Sequence, residues 1–222
     1  MGKTYTIAFF LRFGPKEYIQ DLYENGTVYM NSIKHFRDRK DDPLRADMYE
    51  GISRIIDCPP GEFTIPEINY TGRYEALRLR EYDPNLAGNI YSLYCVSSYF
   101  FPDPESFKAH ISNAGFGDSC IMIKDNPEFL RRIQQAVEEK GYSYRDGFMD
   151  YYDKDTYCGE VGVFKKPLDY ENQKEFRIYV QRQDTDPLIL KIGSLEGIAT
   201  VHTSMEIIEG LALQSRSKSE SQ

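Results

Sequence analysis

The chain has 222 residues, 41% hydrophobic and 28% charged, with 11 prolines and 16 glycines; this excludes bulk disorder and collagen-like repeats and leaves room for one domain. A formal charge of −8 excludes a protein that grips duplex nucleic acid through a broad basic surface, although not one with a local basic groove. The aromatic content, 14% and entirely Tyr and Phe, suits both pleated sheet surfaces and stacking pockets.

Residues 4–13 alternate and are rich in strand formers, which predicts a first strand. Gly14 and Pro15 break it. Pro15 stands where a helix over 16–25 would open, and Asn25-Gly26 would close that helix. Residues 27–30 read as a second strand. The polar stretch NSIKHFRDRKDDPLRADMYEG follows, longer than a routine connection, and long ordered loops often carry function. Strands are expected at 51–57, 61–70 and 73–82, then at 89–98 and 116–124. Asn126-Pro127 introduces a helix over 127–140, whose Phe129, Leu130, Ile133, Ala136 and Val137 keep helical spacing up to Gly141. Further strands are expected at 143–151, 157–165, 175–182 and 188–192, followed by a mixed end. The tail SRSKSESQ is of low complexity and is expected to be disordered. Many strands with few helices predict an α+β fold, one domain over 1–212 with a disordered tail at 213–222.

The first strand holds Arg12 and lacks a small-residue cleavage site, so it does not read as a signal peptide. No stretch approaches the roughly 18 apolar residues that cross a membrane. MGKTYT fits the myristoylation pattern only superficially. Cys58, Cys95, Cys120 and Cys158 lie far apart and are expected to be reduced, mostly buried thiols of a cytoplasmic protein. There is no dinucleotide-binding or P-loop glycine motif and no nucleophile elbow. His35, His110 and His202 are isolated, so zinc chemistry is a poor expectation.

Four groups of residues remain. In EFRIYVQR, Phe176, Ile178 and Val180 should face a core while Glu175, Arg177 and Tyr179 share the other face, with Glu175 at the strand's mouth. That pair could line a cleft or sit on a solvated sheet face, where it would contribute little. Arg12, on the face of Ala8 and Phe10, suits a carboxylate or phosphate, or could reach water from the strand's end. Tyr29, Asn31, Ser32 and Phe36 could stack on a planar ring and bond an amide, or Asn31 or Ser32 could cap a short helix at 33–37. In NIYSLYCVSS, Tyr94, Val96 and Ser98 share one face and Leu93, Cys95 and Ser97 the other; Ser residues near the strand's end could line a cleft or merely finish a sheet.

The order of FLRFGPKEYIQDLYENGTVYMNSIKHFRD, RADMYEG, NIYSLYCVSS, DSCIMIK, VGVFKKPLDYENQKEFRIYV and LILKIGSLEGIATVHT resembles bacterial and phage-linked proteins similar to mono-ADP-ribosyltransferases. That circle includes toxins and abortive-infection effectors of phage defence. The resemblance covers most of residues 5–205. It implies a split, strongly bent antiparallel or mixed β-core that clamps NAD as substrate, with no metal. It gives Arg12 the role of holding NAD, and a central-strand Tyr94, Ser97 or Ser98 a contact with it. It makes Glu175 the catalytic carboxylate and Gln173 the residue that orients the acceptor. Departures are the missing S-T-S in the central strand and Phe13-Gly14 after Arg12. Cleaving nicotinamide from ribose passes through an oxocarbenium-like state, so a carboxylate near the sugar is required. Tyr29 and Phe36 are candidates for stacking on nicotinamide, with Asn31, Ser32 and Ser97 as further cofactor contacts. The implied partner is a macromolecular acceptor, protein or RNA, with a neutralising partner if the chain is a toxin. The alternatives are an NAD glycohydrolase on the same fold and a non-catalytic module that docks a partner.

Overall fold

The computed structural model describes residues 4–42, 44–103, 105 and 107–211. The tail at 213–222 lies outside the described residues. The fold is α+β: among the described residues, mostly antiparallel sheets with four α-helices.

The first strand, β1 (Ile7–Gly14), ends where Pro15 opens α1 (Lys16–Asn25). Gly26 then closes the helix in the left-handed region at φ 60°, and its N–H returns to the carbonyls of Asp21 and Leu22. A Cβ at that position would lie 2.0 Å from the Gly193 carbonyl oxygen, so only glycine fits. The chain continues through β2 (Thr27–Ser32) into α2 (Ile33–Asp38), capped by the Ser32 hydroxyl, which accepts from the His35 N–H at 3.2 Å. The helical reading of 33–37 is therefore the one realised.

Next come β3 (Ile52–Cys58), β4 (Gly61–Ile65), β5 (Tyr70–Tyr74) and β6 (Leu77–Tyr82). A single strand over 61–70 does not form. Pro66 opens a 3-10 turn, Asn69 reverses the chain at φ 47°, and β4 and β5 pair as a hairpin. The central strand is β7 (Gly88–Ser97), followed by β8 (Ser119–Ile123) and α3 (Asn126–Glu138), whose N-terminus is capped by Asp125. Then follow β9 (Ser143–Phe148), β10 (Asp150–Tyr152), β11 (Gly159–Glu160) and β12 (Lys165–Pro167). The strand expected over 157–165 is broken into pieces, because Gly159 and Gly162 have φ of 134° and 69°. The last elements are β13 (Glu175–Gln181), β14 (Leu188–Lys191), β15 (Ala199–Thr203) and α4 (Ser204–Gly210). A capping box between Thr203 and Glu206 starts α4.

The main sheet runs β14-β2-β7-β1-β8-β15, with β13 and β9 joined to the other edge of β7. One edge of β7 pairs with β13 along residues 88–94. Its opposite edge is divided. β1 takes residues 94–97, β2 takes 89–90, and residues 91–93 have no strand partner there. The sheet is thus split at the middle of β7, with β1 and β2 diverging from it.

The largest core lies on the α1 and α3 side of the sheet and contains Phe10, Ile19, Leu22, Tyr91, Leu93, Ile133, Phe176, Ile178 and Val180. The other face carries two smaller apolar clusters. One holds Leu11, Phe13, Tyr94 and Val96; the other holds Ile33, Ile90, Val163 and Tyr179. The strip between them is polar. All four cysteines are free, but only Cys95 and Cys120 are buried; Cys58 is half-buried and Cys158 exposed. Among the described residues no helix is long and apolar enough to cross a membrane.

Candidate functional site

The split opens into a cleft of about 800 Å³, within the range of small-molecule sites. Strand alternation decides what points into it. On β1 the odd positions Leu11 and Phe13 pack into one cluster, which turns Arg12 to the side of Phe10 and Tyr91. The Arg12 guanidinium lies 4.6 Å from the centre of the Tyr91 ring and donates from Nη1 to the Ser92 carbonyl oxygen at 2.6 Å. It thereby fills the gap in the β7 ladder that the split creates. Among the described residues no carboxylate pairs with it.

On β13 the alternation places Glu175 and Arg177 in the polar strip. Both are buried, at 2% and 0% exposure. A 3-10 turn over 168–173 and a left-handed Lys174 (φ 39°) bring the chain into β13, an uncommon conformation for a residue with a side chain. Glu175 Oε1 accepts from the Ser92 hydroxyl at 2.6 Å and from Arg177 Nε at 2.7 Å. Oε2 accepts from Lys166 Nζ at 2.7 Å. The Glu175 N–H donates to the Tyr151 hydroxyl at 2.9 Å. Burial alone would raise the carboxyl pKa, but the charges and hydrogen bonds of Arg177 and Lys166 overcome it and hold Glu175 well below the usual carboxylate range. Arg177 is driven the opposite way. Burial works against its charge, and the carboxylates of Glu175 and Glu50 outweigh burial and raise its pKa.

A second buried carboxylate completes the cluster. Arg177 donates to both oxygens of Glu50, at 2.6 and 3.0 Å, and to the Val163 carbonyl at 2.8 Å. Asp47, three residues before Glu50, is also buried. Burial first, and then the charge of Glu50, push its carboxyl up to about 6. These acids arrive on the long segment after α2, which is pinned to the site. The Ala46 carbonyl accepts from the Tyr170 hydroxyl, the Leu44 carbonyl from Gln173 Nε2, and the Phe116 carbonyl from Arg45 Nη2. After α2 the chain thus forms a strap pinned to the site rather than a free loop.

The expected site residues separate into two sets. Arg12, Tyr29, Asn31, Phe36, Tyr94, Gln173 and Glu175 all line the cleft. Ser32 does not; its hydroxyl is spent on the α2 cap. Ser97 lies beyond the split, opposite Ile7, and Ser98 accepts from the Thr6 N–H. The central-strand residue that reaches Glu175 is Ser92. It stands two residues from Tyr94 and so shares its face, a signal already present in the alternation. Glu50 and Lys166 had no local signal, since Glu50 meets Arg177 across 127 residues. A solvated position for the Glu175–Arg177 pair is also corrected, because the strap and the Lys166 segment cover it.

Aromatic side chains flank the charged middle. Tyr18, Tyr29 and Phe36 come from α1, β2 and α2; Phe13, Tyr94 and Phe116 come from β1, β7 and the segment before β8. Such a site can take a ligand with flat rings and an anionic centre. Among the described residues no group of three or more His, Cys, Asp or Glu is arranged to hold a metal. Comparison with protein-family models, curated proteins and solved structures finds no match to this chain.

Proposed function

We propose that the cleft binds NAD and that the chain transfers ADP-ribose to a macromolecular acceptor, protein or nucleic acid, as a cytoplasmic mono-ADP-ribosyltransferase with the split β-core of that type. A toxin or phage-defence effector would have this activity. The observation that carries the reading is an ionised Glu175 in the wall of the same split that holds Arg12, a cation without a carboxylate partner among the described residues. Arg12 would bind the pyrophosphate. The aromatic side chains on either side of the charged middle offer faces for the two bases.

In the reaction the bond between the ribose C1′ and the nicotinamide nitrogen breaks, and its electron pair leaves with nicotinamide. Positive charge grows at C1′, where the fixed Glu175 carboxylate and the Ser92 hydroxyl beside it stabilise it without reorganisation. The acceptor's oxygen or nitrogen then bonds to C1′ and loses a proton to solvent. No electrons are gained or lost overall.

One observation favours water as the acceptor, which would make the chain an NAD glycohydrolase. Both ends of the Gln173 amide are engaged inside the protein: Oε1 accepts from Lys166 and Nε2 donates to the Leu44 carbonyl. That amide is not free to orient a macromolecule.

The test is incubation with NAD labelled in the adenylate, together with a cell lysate as acceptor. The wild type should release nicotinamide, and Glu175→Gln should lower the rate about 100-fold or more. Label on macromolecules supports the transferase; label only in free ADP-ribose supports the hydrolase. No nicotinamide release from the wild type leaves a non-catalytic binding module and overturns the proposal.

A further inference from the structure

Glu50 is neither on β13 nor near it in sequence, yet it is the residue that holds Arg177. The Arg177 guanidinium is fully buried. Its two terminal nitrogens are taken by Glu50, and Nη1 also reaches the Val163 carbonyl, which leaves Nε to fix Glu175 Oε1 at 2.7 Å. A guanidinium is a planar fork, so fixing the two terminal nitrogens fixes the direction of the Nε–H. With Lys166 on the other Glu175 oxygen, the formal charges of Glu50, Arg177, Glu175 and Lys166 cancel, and buried Asp47 beside them makes the cluster net negative. The strap delivers Glu50 in this position through the Leu44, Ala46 and Arg45 contacts, so strap and carboxylate are one mechanical unit.

We propose that Glu50 and Arg177 act as a positioning pair for Glu175: Glu50 orients the guanidinium that holds the Glu175 carboxylate and offsets its charge, so that the cluster stays net negative beside the sugar. This rests on the NAD reading for its catalytic consequence and on geometry alone for the positioning itself. Removing the Glu50 charge takes one negative charge from the cluster where positive charge must develop, which disfavours the transition state more than NAD binding. Neutralising Lys166 as well restores the balance.

The experiment has two arms, each on the full chain. In the first, nicotinamide release is measured for wild type, Glu50→Gln and Glu50→Gln/Lys166→Gln. Glu50→Gln keeps the side chain's size and should lower kcat about 10- to 100-fold while KM for NAD stays within about threefold. The double variant should regain about 10-fold of that loss. A purely structural Glu50 would give losses that add, and an unchanged kcat in Glu50→Gln would also overturn the pair. In the second arm, exchange of the Arg177 Nε–H with water is followed by NMR without NAD. Glu50→Gln should speed it about 10-fold or more, because the fork is no longer held at both ends. An unchanged rate overturns the positioning role. If the wild type releases no nicotinamide, the NAD reading fails while the second arm still decides whether Glu50 positions Arg177.

Discussion

The two faces of β13 are buried alike and composed by different rules. Phe176, Ile178 and Val180 join the main core with Phe10, Leu93 and Ile133. Glu175 and Arg177, one residue away in each case, are equally removed from water but carry full charges. On the first face burial supplies stability by itself. On the second, each charge must be matched or the fold loses energy, and replacing such a network by well-packed apolar groups is often neutral or stabilising. A face that could have been apolar and is ionic instead, at the wall of a cleft, has the character of a functional site.

Removing a side chain from the apolar face sharpens the contrast most. Ile178→Ala should cost about 2–5 kcal/mol, read as a fall in Tm of roughly 5–15 °C. NAD affinity well below Tm should not change. A variant that lost NAD binding without losing stability would break the division between the faces.

A smaller effect of opposite sign is expected at Asp47. Its carboxyl is raised to about 6 from an ordinary 3.8, so the folded protein binds this proton more tightly than the unfolded chain. The charged form therefore destabilises the fold above pH 6, and the penalty fades as pH falls from 6 toward 4. Asp47→Asn can still accept from the Tyr49 N–H and should stabilise the protein at pH 7.5 by about 1–3 kcal/mol. The gain should vanish near pH 4. Thermal melts of both proteins across that range check it, and a loss of stability at pH 7.5 would show that Asp47 is well compensated by Lys166 and Arg177.

Much of this contrast was legible in the residues. The alternation in EFRIYVQ assigns the two faces of β13, and Pro15 with Gly26 brackets α1. Local signals of this kind act within a few residues, where propensity and capping decide. The split itself is not local. It depends on β1 and β2 both pairing with one edge of β7, 50 or more residues away, and no periodicity encodes that. The same holds for Glu50, which joins the site only through the strap. Ser92 is legible too, since it shares a face with Tyr94, whereas Ser97 and Ser98 have only their place at the strand's end to mark them. The strand expected over 157–165 failed because Gly159 and Gly162 take conformations that strands exclude.

The most direct test of the account is calorimetric titration of NAD into the wild type and into Arg12→Ala. The account predicts saturable binding by the wild type, weakened about 10-fold or more when the guanidinium in the split is removed. Absence of saturable binding in the wild type, or equal affinity in the two proteins, would contradict it.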